Sequence, residues 1–219
     1  MHSTVKNLVD IENNIKLHLS KININIYPKI IAVSKTFKID KIFPLIDHGH
    51  IDFGENKVQE AIEKWSMVKE KNENIKLHLI GKLQTNKVKL ALKIFDYIHS
   101  LDNEKLAKKI SDIQQEKDIS TKIFIQVNIG DEEQKSGIKK TQLIEFYNYC
   151  ISLNLDIIGL MCIPPFEKNS DIFFEEMNIL KNKLKLNNLS MGMSLDYISA
   201  ISYGSTYLRI GSNIFGKRS

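Results

Sequence analysis

Residues 203–216, YGSTYLRIGSNIFG, decide the reading of the chain. They run from a helix end through a Gly-containing turn into a short apolar strand, and from there into a second Gly loop. Arg209 lies inside the strand, between Leu208 and Ile210. The chain has 31 Lys and Arg together, of which only Arg209 and Arg218 are Arg. Arg differs from Lys in its planar fork of donors and its permanent charge. A buried charge is costly unless paired. Arg209 therefore faces a specific partner, which is either a ligand or a structural carboxylate.

The same unit recurs upstream. Apolar, β-branched stretches at 28–36 (PKIIAVSKT), 51–56, 75–81, 96–102, 121–130, 156–165, 189–194 and 205–211 read as strands. Between them, 39–50, 56–71, 86–95, 103–117, 140–153, 169–185 and 194–204 read as helices, with Pro44 in the first turns of the first and Asn169 or Ser170 capping the sixth. Residues 131–138, DEEQKSGI, read as a polar loop. Leu8, Ile11, Ile15 and Leu19 recur at helical spacing and add an amphipathic helix in front.

Strict alternation points to a parallel sheet with right-handed crossovers. Eight units in one chain of 219 residues fit an α/β fold, a single (β/α)8 TIM-type barrel spanning 1–219 with an extra N-terminal helix. An open doubly wound sheet is the alternative, but no G-x-G-x-x-G follows the first strand.

Composition excludes several classes. Net charge is +5, but the Lys residues are scattered and form no basic stripe, so nucleic acid is not an expected partner. No run approaches the roughly 20 apolar residues of a membrane span, and the N-terminus does not read as a signal peptide. Cys150 and Cys162 make no metal-binding or disulfide pattern. A reducing cytoplasm is expected.

In a barrel the working residues sit at the C-terminal ends of the strands. Those ends carry Lys35, Asn56, Gly81, Ser100, Asn128, Met161, Ser190 and Arg209 with Gly211. The set lacks a His/Asp/Glu ligand cluster and a Ser-His-Asp order. Strands one and eight become neighbours on closure, so Lys35 and Arg209 share a site. A Lys beside positive charge and partly buried loses its proton more easily and forms Schiff bases, although most Lys simply snorkel. Ser190, Gly192 and Ser194, with Ser212, offer either helix caps or a phosphate cup. A Schiff-base Lys, an Arg and a phosphate cup together describe pyridoxal 5′-phosphate, PLP.

Six segments carry a resemblance: AVSKT at 32–36, FGENKVQE at 53–60, HLIGKLQTNK at 78–87, IQVNIGDEEQKSGI at 125–138, GLMCIPP at 159–165 and LSMGMSLDYISAISYGSTYLRIGSNIFGKR at 189–218. In this order they resemble the YggS/PROSC family, the pyridoxal phosphate homeostasis proteins. The resemblance implies a barrel like the N-terminal domain of alanine racemase and PLP as cofactor. It also implies Lys35 as the Schiff-base lysine, Asn56 beside the ring oxygen and Arg209 on the pyridine nitrogen. Ser190, Gly211 and Ser212 become the phosphate cup. Ser212 stands where the family commonly has Thr and keeps the hydroxyl. Leu77 replaces a common Trp. Lys135 matches a family lysine near the cofactor entrance and is a possible second PLP contact. The implied protein is a monomer that holds PLP and passes it to apo-enzymes that depend on it. A small PLP-dependent racemase is the alternative, and a (β/α)8 lyase using Lys35 without PLP is a third.

Overall fold

The computed structural model describes residues 1–166 and 168–216. Eight strands, each only 3–5 residues long, close on themselves in sequence order: β1 (Lys29–Val33), β2 (Asp52–Glu55), β3 (Lys76–Leu79), β4 (Tyr97–Leu101), β5 (Lys122–Gln126), β6 (Ile157–Met161), β7 (Asn188–Ser190) and β8 (Tyr207–Ile210). All pairings are parallel. The seam joins β1 to β8, with Lys29 opposite Tyr207, Ile31 opposite Arg209 and Ala32 opposite Ile210. The alternation therefore resolves as the closed barrel and not the open sheet.

Helices form the outer layer: α1 (Ser3–Lys21), α2 (Phe43–Asp47), α3 (Val58–Lys71), α4 (Val88–Ile94), α5 (Glu104–Lys117), α6 (Leu143–Ser152), α7 (Ser170–Lys183), α8 (Tyr197–Ser202) and α9 (Ser212–Phe215). The extra helix α1 buries Leu8, Ile11, Ile15 and Leu19, as their spacing predicts. It packs against α9, α2 and α8, and Asn7 Nδ2 donates to Ile214 O at 3.0 Å. Asn169 caps α7 by accepting from Asp171 N–H.

The helix expected over 39–50 is shorter than read. A 3₁₀ turn, Ile39–Lys41, precedes the five-residue α2, and Pro44 lies in the first turn of α2. Pro has no N–H to continue an earlier helix and its ring crowds the preceding turn, so the helix restarts around it.

Period-two alternation divides the apolar residues into two bodies. Ile30, Ala32, Phe53, Leu77, Leu79, Ile98 and Leu208 face the helices. Ile31, Tyr97, Phe124, Met161 and Tyr207 pack together separately inside the barrel. The rest of that interior is polar: Asp52, His78, His99, Ser190 and Arg209 are all buried.

Candidate functional site

The C-terminal ends of six strands, β1, β2, β3, β6, β7 and β8, converge on a cavity of about 500 Å³. Lys35 follows β1, Asn56 follows β2, Arg209 lies in β8, and Gly211 and Ser212 follow β8; all five line the cavity. Ser194 and Met193, from the loop after β7, line it as well. Pro164, Pro165 and Phe166 after β6 and Leu195 after β7 form an apolar wall, with Phe166 and Leu195 largely exposed at its rim.

Arg209 is 4% exposed. Its Nη1 donates to Ser190 O at 2.6 Å and Ser190 Oγ at 2.8 Å, and its Nη2 to Cys162 O at 2.8 Å. Among the described residues none of its hydrogen bonds goes to a carboxylate, so the structural-pair alternative does not describe it. A guanidinium has five N–H donors. Among the described residues three are engaged, which leaves one on Nη2 and the Nε–H, and Arg209 lines the cavity. Burial lowers the pKa of Arg209 from its ordinary value. Burial also pushes the neighbouring Cys162 thiol up to about 12, against the pull of Arg209. Cys162 is therefore a neutral wall.

Ser190 is placed differently from the expectation of a phosphate cup. Its side chain is wholly buried, it does not line the cavity, and its hydroxyl is engaged by Arg209 and by His99 Nδ1 at 2.8 Å. One β residue points inward, and the loop beyond it must turn before it reaches the mouth, so Ser194 and not Ser190 meets the cavity. Ser194 Oγ accepts from Asn213 N–H at 3.3 Å, and Ser194 O accepts from Asn213 Nδ2 at 2.8 Å, which ties the β7 and β8 loops together. Lys135, on the loop after β5, does not line the cavity and pairs with Glu132 at 2.6 Å.

The backbone on either side of Lys35 is clamped by residues that the strand-end reading missed. Glu55 is wholly buried on the helix side of β2, and its Oε1 accepts from Ser34 Oγ at 2.7 Å, Lys64 Nζ at 3.0 Å and Trp65 Nε1 at 3.0 Å. Lys64 also donates to Ser34 O and to Glu60. Glu60 in turn accepts from Thr36 N–H at 2.6 Å. Burial opposes ionisation of Glu60, but the bonds from Thr36 and Lys64 outweigh it and hold its pKa below the usual carboxylate value. Thr36 has φ of +68°. A β-branched residue avoids this region, at a cost on the order of 1–3 kcal/mol. The Glu60 contact holds this bend and so sets the path of the chain after Lys35. Asn56 is fixed from another side: a Cβ at Gly81 would lie 2.3 Å from Asn56 O, so only glycine lets β3 approach that backbone.

Lys64→Met is expected to unfold at lower denaturant. It strands the buried Glu55 charge, and removing one partner of a buried pair costs about 3–5 kcal/mol. Urea titration measures the change, and an unaltered midpoint would show that the clamp carries no stability.

The family model described as alanine racemase, N-terminal domain, matches residues 7–219. The pyridoxal phosphate homeostasis protein of Haemophilus influenzae is 37% identical over 87% of this chain and 85% of its own length. That of Aquifex aeolicus is 38% identical over 87% of each. The chain belongs to the pyridoxal phosphate homeostasis protein family. A solved member, PipY of Synechococcus elongatus without PLP, superposes with a TM-score of 0.82 at 32% identity, covering 92% of this chain and 100% of PipY. PipY has also been solved with PLP bound, and that structure gives a TM-score of 0.80. Alanine racemase of Clostridium difficile shares the fold, with a TM-score of 0.74 at 14% identity over 99% of this chain and 57% of the enzyme. Five of the six family segments quoted from the sequence contribute residues to the cavity lining; segment 125–138 contributes none, and residues 217 and 218 lie outside the described residues.

Among the described residues, no helix is long and apolar enough to cross a membrane, and no group of three or more His, Cys, Asp or Glu is arranged to hold a metal ion.

Proposed function

We propose that the protein binds PLP in this cavity, through Lys35, and holds it for release to apo-enzymes in the cytoplasm. The observation that carries this reading is the meeting, in one cavity, of Lys35 with a buried Arg209 that makes no hydrogen bond to a carboxylate among the described residues. When bound, PLP supplies an aldehyde that an amine captures reversibly and a ring that can delocalise negative charge.

The residues present fit that group. Lys35 would be the capturing amine, and Asn56, just after the next strand, lines the same cavity. Ser194, Gly211 and Ser212 offer hydroxyl and backbone N–H groups to the phosphate. Ser190 acts behind Arg209. Lys135 is an outer contact at most, reached only if its Glu132 pair opens. The apolar wall of Pro164, Pro165 and Phe166 excludes water from one side.

The same residues favour holding over turnover. Arg209 donates and cannot accept, so a pyridine nitrogen held by it would stay unprotonated and the ring would be a weaker electron sink. A racemase needs a second acid/base opposite its lysine. Among the described residues lining the cavity, the titratable groups besides Lys35 and Arg209 are Lys168 and Asp196. Asp196 Oδ1 accepts from Met193 N–H at 2.7 Å, which ties that carboxylate to the backbone of its own loop. None is Tyr, His or Cys.

Adding PLP is expected to produce a visible band, and borohydride is expected to fix one PLP on the protein. Alanine in deuterated water should exchange its α-hydrogen no faster with the protein than with free PLP. Fast exchange that depends on Lys35 would replace storage with racemase chemistry. Absence of the band would remove PLP from the reading.

A further inference from the structure

Arg209 is the upper end of a hydrogen-bonded file that runs down the barrel axis. Below it, Ser190 Oγ lies 2.8 Å from His99 Nδ1, His99 Nε2 lies 3.0 Å from His78 Nδ1, and His78 Nε2 lies 2.9 Å from Asp52 Oδ1. His78, His99 and Ser190 are wholly buried, and Asp52 sits at the start of β2, at the opposite end from the cavity. Of these four side chains none lines the cavity. Aromatic rings wedge the imidazoles in place: Tyr97 stacks on His78 at 4.2 Å and Phe124 on His99 at 4.3 Å.

With both imidazoles neutral in the buried interior, the two ends fix the direction of every link. A carboxylate only accepts and a guanidinium only donates. His78 therefore gives Nε2–H to Asp52 and, being neutral, accepts at Nδ1. His99 then donates from Nε2 and accepts at Nδ1. The hydroxyl hydrogen of Ser190 must point to His99, and its oxygen is turned to Arg209. Burial of both imidazoles agrees with their neutrality, since desolvation is the leading cause lowering the pKa of each. Each donor in such a chain strengthens the next acceptor.

We propose that Asp52, His78 and His99 are positioning residues for Arg209. Acting through Ser190, they fix which guanidinium N–H groups face the cavity. The geometric part stands on the file alone, and its consequence for PLP rests on the function proposed above. Replacing Asp52 by Asn keeps an oxygen that can accept but adds an amide that can donate. The chain can then run in either direction, and Ser190 no longer has one fixed orientation.

The test is nitrogen-15 NMR of the protein without PLP, which the composition makes simple: the chain has 6 His and two Arg. In the wild type, His78 and His99 are expected to show Nε2–H with bare Nδ1, and Arg209 to show distinct, slowly exchanging Nη signals. Asp52→Asn should give both imidazoles a mixture of tautomers and broaden the Arg209 signals from the far end of the barrel. In PLP titrations Asp52→Asn should raise the half-saturating concentration about tenfold, the size of one charge-assisted hydrogen bond. In an Arg209→Gln background the same change should be within about twofold. A bare Nε2 on His99 in the wild type, or Arg209 signals indifferent to Asp52→Asn, would overturn the proposal. If wild type takes up no PLP, the functional reading fails while the NMR still decides the file.

Discussion

The Lys35→Ala protein is expected to show no visible PLP band and no adduct after borohydride. Lys35 is the lysine at the end of β1 beside Arg209, and Ala supplies no amine. The remaining walls still offer Asn56, Arg209 and the Ser194, Gly211 and Ser212 groups, so PLP should bind weakly and without a covalent link. A loss of 100-fold or more in affinity, on the order of 3 kcal/mol, is the expected scale. Two further lysines make the result informative. Lys168 lines the same cavity, and Lys135 lies on the loop after β5. Peptide mapping of the reduced wild type should place the adduct on Lys35 alone. An undiminished adduct in Lys35→Ala, mapped to Lys168 or Lys135, would move the site.

The second large effect is acid lability well above the carboxylate range. His78 and His99 are wholly buried, and burial is the first cause that lowers their pKa below 6.5; Asp52 pulls that of His78 back only in part. In the unfolded chain both imidazoles take up protons as pH falls through about 6.5. In the fold they stay neutral until lower pH. Their stabilising contribution is thus complete above about 6.5 and is lost as pH falls toward their depressed folded values. Each such group can contribute at most roughly 1.4 kcal/mol per pH unit, so the two together lose no more than about 4 kcal/mol between pH 7 and pH 5. Asp52 acts in the same direction but later, because its pKa is itself lowered: burial would raise it, and the His78 bond and nearby Lys29 outweigh that. Urea unfolding at the two pH values measures the sum. A flat profile over that window would mean that the buried imidazoles already carry protons.

What could be read from residue order was the barrel and the meeting of Lys35 with Arg209. Alternating apolar strands and amphipathic helices specify the first, and closure of strand one on strand eight specifies the second. The difference between Ser190 and Ser194 was not legible, because both precede the same helix and only the turn after β7 decides which one reaches the cavity. Glu55 escaped because it points outward to Lys64 and Trp65, away from the mouth where carboxylates were sought. The axial file escaped for a related reason. Asp52, His78 and His99 are single polar residues on three strands, and each looks like an isolated exception in an apolar run. Carrying the inward parity of Arg209 down the strands would have gathered them, since Tyr207, Tyr97 and His78 share the same interior.

The seam between β1 and β8 gives the molecule a schedule as well as a shape. Chains are made from the N-terminus, so after Lys35 six further strands, β2 to β7, must be synthesised before Arg209 arrives beside it. Until then β1 has only β2 as a neighbour, and the growing sheet has two open edges. A sealed cavity therefore marks the closed barrel. A chain interrupted before β8 is an unsealed sheet, a target for chaperones or proteases.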